Sequence, residues 1–126
     1  LTENVKFLGN IAHDKMPLYM SAADILVMPS YYESFGLAAL EAMACGTPVI
    51  TSRNSGAKTF ITQGTSGYLI PWNCPDPYSE RLDILLKNPI LRATMGRQAT
   101  IQANKMSWNT AAAKINLVYN KLIKSA

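Results

Sequence analysis

Residues that ligate metals are scarce in this 126-residue sequence, which contains two cysteines, Cys45 and Cys74, and a single histidine, His13. The cysteines stand in unlike contexts without the spacing of a zinc site, so we expect a reduced protein with no structural metal. Charged residues make up only 16% of the chain and hydrophobic residues 48%, whereas a typical soluble domain is about 25% charged. This composition excludes a disordered chain and a coiled coil, and predicts a globule with a buried core.

Long apolar runs are missing as well. No run approaches the roughly 18 residues that a membrane-spanning helix needs, and the first residues lack the basic and apolar series of a secretory signal peptide. The sequence therefore predicts a cytoplasmic protein.

Acidic residues are absent from the last part of the chain, because all eight lie at or before Asp83 and only basic ones, seven in number, follow it. The seven are dispersed among apolar residues, which is typical of solvated helix faces. Docking on an acidic partner domain or on the anionic inner face of a membrane remains open. We expect no binding of nucleic acid, because no basic cluster is interleaved with aromatic residues on which bases stack.

Up to Pro71 the sequence alternates between short apolar runs and helical patterns. Strands are predicted at residues 5–8, 25–28, 47–51 and 67–70, and helices at residues 16–23 and 36–45, with a short helical segment within residues 58–63. The uninterrupted apolar run at 25–28 suits a parallel strand that is covered on both faces. The alternation indicates an α/β fold, a Rossmann-like doubly wound parallel sheet of about four short strands followed by C-terminal helices.

After Pro71 the pattern becomes helical. Three helix starts are marked by a side chain that can cap them, and these are Asp76-Pro77, Asn88-Pro89 and Ser107-Trp108. The last segment carries an apolar stripe at helical spacing that another surface must cover; it consists of Ile115, Val118, Tyr119 and Leu122.

The first predicted strand lacks the preceding glycine-rich turn that usually opens a nucleotide-binding sheet. The chain also has no internal repeat and no long linker. We therefore expect residues 1–126 to form a single domain that is the later part of a larger Rossmann-like domain.

Glu41 is the unusual residue of the chain, because every neighbour from Leu37 to Cys45 is apolar or small. Burying an unpaired carboxylate costs several kcal/mol, so Glu41 should have a hydroxyl, amide or basic partner. The ribose hydroxyls of a nucleotide would serve, and a core partner within the protein is the alternative.

Glu33 stands eight residues before Glu41. In a continuous helix the two would be about 12 Å apart along the axis, at about 1.5 Å per residue, which exceeds the roughly 5 to 9.5 Å of the acid pairs in glycoside hydrolases. The span suits an elongated ligand with a diphosphate, since a helix start offers free amides and a favourable dipole. These free amides belong to Ser34, Phe35, Gly36 and Leu37. The alternative interpretation of Glu33 is an ordinary acid at a helix start.

Residues 33–50 read ESFGLAALEAMACGTPVI. The segment resembles the E-x7-E signature of family 4 retaining, nucleotide-sugar-dependent glycosyltransferases of the GT-B fold, with Glu33 and Glu41 as its two glutamates. The likeness continues at residues 5–9 and 19–30 upstream, and at 67–70, 95–96 and 107–108 downstream. It implies that the chain is the donor-binding part of the C-terminal domain of such an enzyme.

The resemblance implies transfer of a sugar from a nucleotide-diphosphate-sugar to a glycan or lipid hydroxyl, with retention and without a metal ion or other cofactor. Glu33 is then the catalytic residue beside the donor sugar, and Glu41 accepts hydrogen bonds from the ribose. The other donor-binding residues implied are Ser34, Phe35, Gly36 and Leu37, together with Ile11 beside the base. Ordinary packing is the alternative role for Ile11.

The likeness is incomplete. No residue matches the basic pair that holds the diphosphate in the family, because Arg53 and Lys58 follow the next strand and are expected to be surface residues. Thr59 stands where the family often has an acid, and His13 is expected to lie at the surface. The N-terminal acceptor domain would be a further partner, so we expect the isolated chain to be inactive.

Two other functions are alternatives. One is a non-catalytic nucleotide-binding or interaction module of the same fold. The other, a phosphoacceptor module, is disfavoured because Pro29-Ser30 stands where an acidic acceptor is needed. The base, the sugar and the acceptor are not indicated.

Overall fold

The computed structural model describes residues 2–54, 56–71 and 74–124. Three parallel strands pair side by side in chain order, and these are β1 (Leu26–Met28), β2 (Val49–Ser52) and β3 (Tyr68–Ile70). Across the sheet, Val27 lies opposite Ile50 and Ile50 lies opposite Tyr68. The predicted α/β class with a parallel sheet is confirmed.

The described ranges contain five α-helices, and these are α1 (Met16–Ala22), α2 (Leu37–Ala44), α3 (Pro75–Lys87), α4 (Pro89–Asn104) and α5 (Trp108–Lys124). Short 3-10 turns occupy Thr2–Asn4, His13–Lys15 and Ala57–Thr59.

Side chains cap two of the predicted helix starts. Asn88 Oδ1 accepts the Leu91 amide at 3.0 Å, and Ser107 Oγ accepts the Thr110 amide at 3.2 Å. The start predicted with Asp76 as the cap and Pro77 as the first helical residue is displaced by two residues, because α3 begins at Pro75, without a side-chain cap. A proline tolerates this first position, since its missing N–H would have had no helical partner.

Strands β2 and β3 are buried on both faces because alternate residues point into different clusters. Val49 and Leu69 pack in one cluster with residues of α1, α2 and α4. Ile50 and Tyr68 pack in the other with Leu85 of α3 and with Met95 of α4. Helices therefore cover both sides of the sheet, which is the doubly wound arrangement that the sequence predicts. The prediction that the run at 25–28 is covered on both faces is wrong, because Val27 of the edge strand β1 is 38% exposed.

The strand predicted at residues 5–8 is wrong. Val5, Phe7 and Leu8 belong to no strand, and the side chain of Phe7 is 94% exposed. A strand needs a neighbour that pairs with its backbone amides and carbonyls, and β1 pairs only with β2 in the described sheet. That sheet accordingly has three strands rather than four.

Helix α5 carries the predicted apolar stripe on an exposed surface. Its four members, Ile115, Val118, Tyr119 and Leu122, are 52 to 62% exposed. Of the helices in the described ranges, none combines the length and apolarity that crossing a bilayer demands.

The end of α2 is a glycine turn against which α4 packs. Gly46 has a φ of +83°, and the amides of Gly46 and Thr47 donate to the carbonyls of Met43 and Ala42 at 3.0 Å each. This is a Schellman cap. Gly96 of α4 lies so close that a Cβ atom there would overlap the carbonyl oxygen of Gly46. The packing of α4 on α2 thus requires glycine at position 96.

We expect Gly96→Ala to lower the free energy of unfolding by about 1–3 kcal/mol, the usual cost of overpacking, although alanine is the better helix former. Urea denaturation followed by circular dichroism measures the change. Thr94→Ala, at an exposed position of the same helix, is the control and should stay within about 0.5 kcal/mol of the unchanged chain. A Gly96→Ala chain of undiminished stability would contradict the close packing of α4 on α2.

Candidate functional site

Glu33 lies in a loop at the carboxyl edge of the sheet, because residues 29–36 leave the end of β1 and lead into α2. Ligands of open α/β sheets bind at this edge. Glu33 is half-buried in the loop, and its Oε1 accepts the Phe35 amide at 3.4 Å. Since α2 begins only at Leu37, the helical estimate of the distance between the two glutamates does not apply.

The N-terminus of α2 is open to an anion. Gly36 is the N-cap residue with φ +93° and ψ +46°, a left-handed conformation that favours glycine, and no side chain caps the helix. The described residues supply no acceptor for the amides of Leu37, Ala38 and Ala39. The dipole of α2 favours negative charge at this end. One predicted free amide is engaged, because that of Phe35 donates to Glu33.

Glu41 lines a groove of about 520 Å³ between α2 and the junction of α4 with α5. Phe35 and Leu37 line the same groove, so the structure brings together three of the predicted site residues. The other lining residues are His13, Leu40, Ala44, Ala103, Met106, Trp108 and Ala111. A smaller cavity of about 190 Å³ on the α1 side of Glu41 also includes His13.

The carboxylate of Glu41 has no partner among the residues that the structure describes. It makes no hydrogen bond and no ion pair with them, although the side chain is half-buried among apolar neighbours. The described residues therefore do not support the alternative in which a core residue is the partner of Glu41. A carboxylate held in this way is available to a ligand.

The remaining predicted residues lie beside the groove or outside it. Glu33, Ser34 and Gly36 form the adjoining loop, whereas Ile11 is half-buried and does not line the groove. Arg53 and Lys58 are exposed, as expected. No Arg or Lys side chain of the described residues lines the groove, and no three His, Cys, Asp or Glu side chains among them could hold a metal ion together.

Sequence reasoning missed the wall that comes from the C-terminal helices. Ala103, Met106, Trp108 and Ala111 are ordinary apolar residues of a helical pattern and carry no chemical signature. The one signal was the resemblance at residues 107–108. His13 was expected to be a simple surface residue, and it is exposed, but it borders both cavities.

Comparison with known proteins identifies the family. Residues 1–102 match the family model described as glycosyl transferases group 1. The chain belongs to this family. The match covers all the strands, the acidic loop and most of α4.

The most similar proteins include a D-inositol 3-phosphate glycosyltransferase of Corynebacterium jeikeium, which is 39% identical over 118 residues, or 94% of this chain and 28% of that protein. Among solved structures, sucrose-phosphate synthase from Thermosynechococcus elongatus is 34% identical with a TM-score of 0.89, over 98% of this chain and 31% of that one. Anabaena HepE in complex with UDP-glucose is 28% identical with a TM-score of 0.79, over 98% and 33%. The GT-B type of fold is thereby confirmed, and the chain spans about a third or less of each relative.

We expect Glu41→Gln to leave the free energy of unfolding unchanged or to raise it by up to about 1 kcal/mol, because a neutral amide loses less hydration than a partnerless carboxylate. Urea denaturation measures this. Glu80→Gln, at an exposed position of α3, is the matched control. Destabilisation of Glu41→Gln by more than about 1 kcal/mol would reveal a partner within the protein and contradict the proposal that Glu41 awaits a ligand.

Proposed function

We propose that this chain binds the nucleotide-sugar donor of a family 4 retaining glycosyltransferase and forms the later part of its C-terminal domain. The observation that carries the proposal is the partnerless Glu41 in a groove that adjoins the open N-terminus of α2. Family membership supports glycosyl transfer, and the UDP-glucose complex of HepE supports this class of donor. The resemblance at Glu33 and Glu41 supports the narrower assignment to family 4.

In the proposed complex the donor lies along α2. Glu41 accepts hydrogen bonds from the ribose hydroxyls, and a charged acceptor makes such bonds stronger than neutral ones. The diphosphate meets the amides of Gly36 and Leu37, where the dipole of α2 offsets its charge. Glu33, in the loop just before these amides, then lies on the side of the donor sugar, and Ile11 lies near the base.

In the proposed reaction the bond between the anomeric carbon and the diphosphate oxygen breaks, and a bond to the acceptor oxygen forms on the same face of the sugar. The acceptor proton passes to the departing diphosphate. Stabilisation of that leaving group by fixed dipoles is electrostatic catalysis, and we propose that no metal ion takes part. Since the described groove has no Arg or Lys side chain, we infer that the dipole of α2 is the main source of positive potential here. We therefore infer weak donor binding and no transfer by the chain itself.

We assign acceptor binding to a second domain. The chain spans 28% of the inositol phosphate glycosyltransferase that it resembles, so we propose an N-terminal acceptor domain in a cytoplasmic parent protein. The exposed stripe of α5 is a surface that this domain would cover. Contact of the same stripe with an anionic membrane is an untested alternative.

One observation favours a second candidate function. The absence of Arg and Lys from the described groove suits a non-catalytic nucleotide-binding module of the same fold. The presence of both Glu33 and Glu41 favours the enzyme, because a module that only binds nucleotide has no need for an acid beside the sugar.

Saturation-transfer NMR with UDP-glucose, GDP-glucose and ADP-glucose, each at millimolar concentration in EDTA, tests donor binding. We expect one donor to receive saturation at its ribose protons. Glu41→Gln should weaken that donor about tenfold or more, since a hydrogen bond to a charged group contributes about 1.5–3 kcal/mol. Glu80→Gln serves as the control and should bind like the unchanged chain.

Three outcomes would contradict parts of this proposal. Absence of binding by every donor would contradict a donor-binding chain. Undiminished binding by Glu41→Gln would contradict the role of Glu41, and binding that requires added Mg²⁺ would contradict the metal-free site.

Retention requires a separate test in an active parent enzyme. We expect an α-linked donor sugar to give an α-linked product, because departure and attack occur on the same face. The coupling constant of the anomeric proton in the product distinguishes the two configurations. A β-linked product would contradict retention.

A further inference from the structure

The acidic loop, residues 33–36, rests on the turn that follows β2. This turn, called here the support turn, consists of Asn54 and residues 56–60. Gly56 lies directly against the backbone of Phe35, so that a Cβ atom at position 56 would overlap the Phe35 carbonyl oxygen and Cα. Backbone therefore contacts backbone at this point, and only glycine allows so close an approach.

Phe60 supports the same loop through its ring. The side chain is buried, and its ring centroid lies 5.4 Å from that of Phe35 with the planes inclined at 47°. Phe60 Cζ also lies 3.5 Å from the position that a Cβ atom would take at Gly36. One side chain thus packs under the two loop residues that precede α2.

The support turn is held independently of the loop. Asn54 Oδ1 accepts the Ala57 amide at 2.8 Å, and Thr59 Oγ1 donates to the Gly56 carbonyl at 2.6 Å. The turn continues from β2, and the Arg53 amide just before it donates to Ile70 of β3 at 2.7 Å. The loop itself has a long hydrogen bond of 3.4 Å between Glu33 and Phe35. The more tightly bonded segment therefore sets the position of the other.

We propose that Gly56 and Phe60 are positioning residues for donor binding. They hold the acidic loop in the position in which Glu33 contacts the sugar and the amides of Gly36 and Leu37 bind the diphosphate. Glu41, further along α2, binds the ribose without their help. The inference rests on the proposed function, and it assigns to the support turn the part of donor affinity that comes from the diphosphate and the sugar.

The test compares Gly56→Ala and Phe60→Leu with Gly96→Ala as the matched control. Gly96 makes an equally close approach to a carbonyl, but at the opposite end of α2, so the control has the same kind of packing defect away from the loop. Circular dichroism first establishes a temperature at which the variants are folded. Phe60→Leu, which keeps an apolar side chain of similar size, carries the test if Gly56→Ala does not fold.

The first readout is the amide chemical shifts of residues 34–37 in the chain without ligand. We expect Gly56→Ala and Phe60→Leu to move them, and Gly96→Ala to move instead the amides around Gly46. Loop amides that stay in place in the folded support-turn variants would overturn the proposal.

The second readout separates the two ends of the donor. We expect UDP-glucose to bind the support-turn variants about tenfold or more weakly, because small displacements of binding groups are costly. UMP, which lacks the second phosphate and the sugar, should bind within about twofold of its affinity for the unchanged chain. Equal weakening of both ligands would overturn the proposal. If the unchanged chain binds neither, the proposed function fails, while the amide shifts still decide whether the turn supports the loop.

Discussion

The central strand β2 is the constraint on which the candidate site depends. It pairs with a strand on each side, and all four of its residues are buried. A strand held on both edges and both faces cannot shift without breaking several contacts at once. Its amino end follows the glycine turn that ends α2, and its carboxyl end leads into the support turn beneath Phe35. The loop before α2 and the turn that ends α2 are therefore both held in place by β2.

Helix α2 has a packing role and a proposed binding role, and different residues serve the two. Its small residues Ala39 and Ala42 are fully buried, which lets the helix lie close to the sheet and to α4. Glu41, on the same helix, is half-buried without a protein partner. Packing therefore engages Ala39 and Ala42, whereas the carboxylate of Glu41 remains available to a ligand.

The groove is mostly apolar, and its polar features are few. Apart from Glu41, it is lined by His13 and by apolar residues of the loop before α2, of α2, of α4, of α5 and of the α4–α5 junction. Such a lining excludes water and lets a small number of polar groups orient the ligand. The fixed positive feature is the N-terminus of α2. Tight binding of a diphosphate would need cations from outside this groove, which is why we assign the reaction to a larger protein.

Local features were determined by the sequence alone, whereas contacts between distant segments were decided by the tertiary structure. The helix starts at Asn88 and Ser107 and the glycine cap at Gly46 follow from residues a few positions apart, whereas the lack of a partner for Glu41 emerges only from the folded structure. Side-chain period and capping are local, so these features can be predicted from sequence. Residues 5–8 have the apolar pattern of a strand and form none, because a strand also needs a partner from elsewhere in the sheet. The wall formed by Met106 and Trp108, and the contact of Gly56 with Phe35, likewise arise only when the sheet and its helices pack together.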